Sequence, residues 1–141
     1  MFDFLRKKNT KATSDVSPKR LLIVDDVEFT VDFENTVIES LSQDINITIE
    51  TDIAYTVQEA LDKISANAPY DAIVTDMNLP DGTGSDIAQA ARSKSPSTRL
   101  AALTIYPSKY QHEETLFDVF LRKPIMPKLY RENLIFLLEL T

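Results

Sequence analysis

A chain of 141 residues, 43% hydrophobic and 26% charged, has room for one domain with a substantial core and the composition of a globular protein. The absence of cysteine excludes a disulfide framework, a Cys-based zinc site and a thiol nucleophile, while the single histidine, His112, excludes a poly-histidine metal site and leaves little room for a Ser-His-Asp triad. The net charge of −7 is unevenly divided: residues 1–20 balance to +4, which leaves −11 on the remainder, and so acidic a body repels nucleic acid.

In chain order, residues 1–18 read as a flexible basic tail, polar from Lys7 to Ser17 and without the apolar surface to fold alone. Phe2, Phe4 and Leu5 beside Arg6-Lys7-Lys8 suggest a membrane-surface contact at most, and a disordered tail is the preferred reading. The folded unit is expected over 19–141. Leu21 to Val24 is a short branched apolar run, a strand buried on both faces. Phe29, Phe33, Val37, Ile38 and Leu41 fall at helical spacing. The alternation Ile45-Asn46-Ile47-Thr48-Ile49 predicts a strand nearer an edge. A second helix runs from Thr56, its cap, to Ala66, and Ala72 to Thr75 is a third strand ended by Asp76. Asp81-Gly82-Thr83-Gly84 opens a third helix. Leu100 to Ile105 and Val119 to Leu121 are two more strands, and Pro127 to Leu140 is a closing helix with proline in its first turn. Over Ser108 to Phe117, where a fourth helix belongs, the pattern is poor.

Strands alternating with helices predict a doubly wound α/β fold: a five-stranded parallel sheet flanked by about five helices, the fourth short or irregular. In such sheets ligands bind at the carboxyl ends of the strands. Asp25 and Asp26 follow the first strand and Asp76 the third; Thr104 lies at the end of the fourth and Lys123 after the fifth. A lone strand-end aspartate is usually just solvated, but three carboxylates, a hydroxyl and an ammonium from four segments make a candidate site. Crowded carboxylates repel unless a cation neutralises them, and oxygen ligands with room for water and phosphate favour Mg²⁺, with Mn²⁺ an alternative. A carboxylate so placed can attack phosphorus and form an acyl phosphate. Gly82 and Gly84, the chain's two glycines, both lie in the loop after Asp76, which marks it as shaped for positive φ or for a close approach.

Three stretches in order, Leu22-Ile23-Val24-Asp25-Asp26, Asp76-Met77-Asn78-Leu79-Pro80-Asp81-Gly82-Thr83-Gly84 and Phe120-Leu121-Arg122-Lys123-Pro124, with Thr104 between, resemble the receiver domain of two-component response regulators, the fold typified by the chemotaxis regulator. The resemblance runs from about Lys19 to Thr141. It implies the flavodoxin-like strand order 2-1-3-4-5 and a phosphorylation switch rather than an enzyme. Asp76 would be the phosphoacceptor. Mg²⁺ would be held by Asp26, by Asp25 directly or through water, by Asp76 and by the backbone carbonyl of Asn78. Lys123 and Thr104 would bind the phosphoryl oxygens. Phe120 stands at the place of a switch aromatic, although ordinary core packing explains it equally well. Lys123–Pro124 is a candidate cis peptide. The implied donor is a histidine kinase or phosphotransfer protein, and the implied output is contact with an unidentified downstream protein. The expected setting is the cytoplasm, with no nucleic acid and no membrane span. Leu134, Ile135, Leu137 and Leu138 should pack the last helix on the sheet, with a homodimer contact at the edge of that stripe left open.

Two departures bear on these expectations. Ile105 follows Thr104 where the family prefers a small residue, and Tyr106 stands beside it. Together with Asn78 they are expected to modulate turnover, in the direction of a slow loss of phosphate. The stretch from Thr104 to Lys123 is compressed, with Leu116-Phe117-Asp118 in place of the family's alanine- and glycine-rich turn, which puts the output face in question. Two rival readings are an aspartyl-phosphate type phosphatase, weakened by Asn78 where an acid is needed, and a degenerate receiver that binds without phosphorylation. Nothing decides between a stand-alone regulator and one unit of a longer protein, although Met1 favours a natural N-terminus.

Overall fold

A computed structural model describes residues 17–140, so the tail expected over 1–18, with Phe2, Phe4 and Leu5, lies outside the described residues but for its last two positions. Five parallel strands, β1 (Lys19–Val24), β2 (Ile49–Ala54), β3 (Ala72–Asp76), β4 (Arg99–Thr104) and β5 (Val119–Arg122), form one sheet in the order β2-β1-β3-β4-β5. The helices are α1 (Glu28–Ile45), α2 (Val57–Ala66), α3 (Gly84–Lys94) and α4 (Pro127–Leu137), with a 3-10 segment over Pro107–Leu116 between β4 and β5. This is the expected doubly wound arrangement, irregular element included.

The three central strands are buried at nearly every position because both of their faces are covered. Alternate residues serve separate cores. Leu22, Val24, Ile73, Leu100 and Ala102 face α2, α3 and the 3-10 segment, and Leu21, Ile23, Val74, Ala101 and Leu103 face α1 and α4. Leu134 and Leu137 are buried as expected, with Leu138 just beyond the end of α4.

The second strand does not begin at Ile45. α1 runs on through Ile45, and Asn46 ends it in the left-handed region at φ 57°, its N–H donating to the Ser42 carbonyl. Asparagine tolerates that conformation well, and the apparent alternation across residues 45–49 is a helix end followed by a loop. The face of α1 is also rotated from expectation. Val31, Glu34, Ile38 and Leu41 are buried, while Phe29 is 82% exposed.

The loop after β3 is held from two sides. The Asp81 carboxylate accepts the Val57 and Gln58 backbone N–H groups at 2.8 and 3.0 Å, capping α2, and these bonds hold its pKa below the usual value. Thr83 and Asp86 form a capping box at the start of α3. Neither glycine has positive φ. Gly84 is needed for close approach, since a Cβ there would lie 2.8 Å from the Asp76 carbonyl oxygen.

Glu34 is fully buried between α1 and α4, where one carboxyl oxygen accepts from the Tyr130 hydroxyl and the other has no partner. Burial disfavours the anion and pushes its pKa from 4.5 to about 8. The native carboxyl therefore keeps a proton that the unfolded chain loses near pH 4.5, so this contribution is complete below that pH and is lost as the pH rises toward 8. Denaturant unfolding of the wild type should show stability falling across this window by on the order of 1 kcal/mol per pH unit relative to Glu34→Gln, which cannot ionise. Parallel pH profiles for the two proteins would refute this assignment.

Candidate functional site

The carboxyl ends of β1, β3, β4 and β5 bring together Asp25, Asp26, Asp76, Thr104 and Lys123. Oxygens of Asp25, Asp26 and Asp76 all lie within 4.8 Å of one another. Asp25 is fully buried, Asp76 is 6% exposed, and Asp26 faces solvent. The Lys123 ammonium donates to Asp25 Oδ2 at 3.0 Å and to Asp76 Oδ2 at 3.1 Å. The second oxygens are engaged by local backbone: Asp25 Oδ1 accepts the Val27 N–H at 2.9 Å, and Asp76 Oδ1 accepts the Asn78 N–H at 3.1 Å.

The electrostatics follow from this crowding. Burial pushes Asp76 above the usual carboxylate range, opposed by the Lys123 charge and the Asn78 N–H. Burial alone would lower Lys123, but the hydrogen bond and charge of Asp25, then the charge of Asp76, outweigh it and hold the ammonium above its ordinary value. The lysine is thus a fixed cation between two buried anions, and Asp26 adds a third negative charge at the solvent side. An all-oxygen donor set, open on the Asp26 side, fits a hard divalent cation that keeps several waters, and nitrogen or sulfur ligands are absent from it.

Thr104 is buried at the end of β4, and its Oγ1 accepts the Tyr106 N–H at 2.9 Å, which leaves the hydroxyl proton free for an acceptor in the site. Phe120 is half-buried and packs edge-on against Phe117, with centroids 5.9 Å apart. The Lys123–Pro124 bond is cis. Ile105 and Tyr106 are about half exposed, at 51% and 52%. Ile105 lines an apolar groove of about 360 Å³ together with Phe29, Thr30, Phe33, Lys123, Pro124 and Ile125. His112 is on the surface.

Three residues around this edge escaped the sequence reading. Asp81 ties the site loop to α2, and the only hint was its place before a glycine. Glu34 sits in the stripe Val31, Ile38, Leu41 at helical spacing, and its charge concealed it. Tyr110, from the 3-10 segment, donates its hydroxyl to Asn78 Oδ1, a contact between segments that no local pattern announces.

A family model described as the response regulator receiver domain matches residues 21–134. Over 81 residues the chain is 38% identical to the response regulator protein PilR of Pseudomonas aeruginosa, a match that covers 55% of this chain and 18% of that protein. The chain thus spans less than a fifth of that relative. Among solved structures, a CheY-like response regulator receiver domain protein from Methanospirillum hungatei JF-1 superposes with a TM-score of 0.77 at 27% identity, covering 87% of this chain and 95% of that one. The chemotaxis response regulator CheY4 of Vibrio cholerae gives 0.73 at 26% identity, covering 86% and 100%. The response regulator TrrA of Thermotoga maritima, solved in complex with Mg²⁺ and a beryllium fluoride, gives 0.68 at 27% identity, covering 85% and 99%. A family match over most of the chain, on a sheet of the same order with an acidic cluster at its carboxyl edge, shows that this chain belongs to the response regulator receiver domains of two-component signalling.

Proposed function

We propose that this receiver unit, read over 19–141, is switched by phosphorylation of Asp76, with a histidine kinase or phosphotransfer protein as donor and Mg²⁺ as the required ion. The observation that carries the proposal is the Lys123 ammonium bridging Asp25 and Asp76 beside the exposed Asp26. Asp25, Asp26, Asp76 and the backbone carbonyl of Asn78 would hold the ion, or Mn²⁺ in its place. When bound, the ion would neutralise charge on the transferring phosphoryl oxygens.

In transfer from a phosphohistidine, an Asp76 oxygen forms a bond to phosphorus as the P–N bond breaks and its electron pair returns to the imidazole. Lys123 is already charged and already within reach of Asp76, so it stabilises the transferred group without reorganising. The Thr104 hydroxyl, with its oxygen pinned by Tyr106 N–H, donates to a phosphoryl oxygen. Turnover falls to Asn78, Ile105 and Tyr106, which flank the acyl phosphate, and the bulk of Ile105 in the groove wall beside Lys123 favours slow loss of phosphate. Phe120 reports the change by altering its packing on Phe117. The result is a change in protein contacts with a downstream partner, in the cytoplasm, and not an enzyme's turnover of substrate. Among the described residues, no helix is long and apolar enough to cross a membrane.

With Mg²⁺ and acetyl phosphate the full chain should gain one acid-labile, hydroxylamine-sensitive phosphoryl group, lost entirely in Asp76→Ala. Asp26→Asn should weaken Mg²⁺ binding by calorimetry on the order of tenfold or more. Unchanged labelling in Asp76→Ala would sink the assignment. The exposed groove residue Phe29 gives a donor protein an apolar anchor close to Lys123. Phe29→Ala should therefore slow transfer from a cognate kinase by roughly tenfold while leaving transfer from acetyl phosphate within about twofold. Equal slowing with both donors would show that Phe29 acts on the fold and not on docking.

A further inference from the structure

The connection between β4 and β5 has one buried residue among those of its 3-10 segment, Tyr110, which is 4% exposed and breaks the helical run at φ −108°, ψ 19°. Its ring lies in the core shared with α2 and α3, and its hydroxyl leaves that core to donate to Asn78 Oδ1. Asn78 in turn donates its backbone N–H to Asp76 Oδ1 at 3.1 Å. Two hydrogen bonds therefore link the irregular segment to the carboxylate of Asp76. A second tether, Ser85 with Glu113, ties the same segment to the start of α3.

The side-chain amide of Asn78 has one acceptor atom and two N–H donors. The Tyr110 hydroxyl takes one of the two lone pairs of that oxygen and holds it toward the 3-10 segment, so the amide presents its donors to a neighbouring water more readily than its acceptor. Hydrolysis of an acyl phosphate needs the reverse. A water oxygen bonds to phosphorus, the bond from phosphorus to the Asp76 oxygen breaks with its electron pair returning to the carboxylate, and the water's proton passes to solvent. A carbonyl oxygen nearby orients that water by accepting its O–H, and an N–H cannot.

We propose that Tyr110 is a positioning residue that prolongs the phosphorylated state by keeping Asn78 Oδ1 away from the hydrolytic water. The inference rests on Asp76 being the phosphoacceptor. It adds a residue from outside the acidic edge to the control of turnover, and it gives the compressed connection a chemical task.

The test uses the full chain loaded with ³²P-acetyl phosphate and Mg²⁺, then freed of donor, with the loss of label followed for wild type, Tyr110→Phe, Asn78→Ala and the double variant. Tyr110→Phe should shorten the lifetime about fivefold, the factor that one ordinary hydrogen bond supplies. The same substitution in the Asn78→Ala background should have no effect on the lifetime. An unchanged lifetime in Tyr110→Phe overturns the proposal, as does equal acceleration in both backgrounds, which would mark general loosening of the segment. Should Tyr110→Phe fail to fold, NMR of the unphosphorylated wild type decides the matter. A protected Tyr110 hydroxyl and contacts from its ring to the Asn78 side-chain amide are expected, and a freely exchanging Tyr110 hydroxyl would overturn the proposal. If wild type takes up no label at all, the phosphoacceptor assignment itself falls, an outcome distinct from any effect of Tyr110.

Discussion

Asp25 is completely buried and Asp76 nearly so, and their carboxylate oxygens lie within 4.8 Å of one another. Two like charges at that separation repel by roughly 3 kcal/mol even at the effective dielectric of about 20 that suits protein sites. Neither charge could stay buried without a cation, and the fold supplies one, Lys123, from just after β5, at the far edge of the sheet from β2. Much of the architecture serves this arrangement. The parallel sheet aligns the carboxyl ends of β1, β3 and β5 at one edge, and backbone N–H groups from Val27 and Asn78 take the oxygens that the lysine leaves. Asp26 is the carboxylate left to solvent, so the cluster retains an excess of negative charge that a divalent cation can neutralise.

The same charges reach into the interface between α1 and α4. Glu34 is held between α1 and α4 close enough to feel Asp25, Lys123 and Asp76, and the two carboxylates reinforce burial in keeping it protonated while the lysine opposes them. A neutral carboxyl hydrogen-bonded to a buried tyrosine is a tolerable element of an apolar interface, and an ionised one is not. The α1–α4 contact and the acidic edge are therefore electrostatically linked even though no hydrogen bond joins them among the described residues.

How far the sequence revealed this depends on whether a feature is local. β1, β3 and β4 are legible because branched apolar runs ended by Asp, Asp and Thr have few other readings, and the convergence of Asp25, Asp26, Asp76, Thr104 and Lys123 then follows from the doubly wound rule. β2 was displaced because Asn46 in the left-handed region ends a helix amid residues that alternate like a strand. Phe29 falls at helical spacing with Phe33, Val37, Ile38 and Leu41, whereas the packed stripe runs through Glu34, which hydrophobicity alone would place outside. The bonds between Asp81 and α2 and between Tyr110 and Asn78 join residues 23 to 32 apart, and only the assembled fold brings those partners together.

The poor pattern over residues 108–117 has a physical basis that connects the fold to the site. An amphipathic helix needs an apolar stripe, and Pro107–Leu116 buries one side chain, so packing on the sheet cannot hold it as a regular helix. It is fixed instead by discrete polar tethers: Tyr110 to Asn78, Glu113 to Ser85, and the Arg92 guanidinium to the Leu116 carbonyl and Asp118. A segment held by a few directional bonds responds to the loss or gain of one of them more sharply than a helix held by a broad apolar face. One of these bonds ends on the residue whose N–H binds Asp76. Any chemistry that repositions Asn78 must therefore act on the connection between β4 and β5, and any partner that grips that connection must act back on Asn78 with the same free energy.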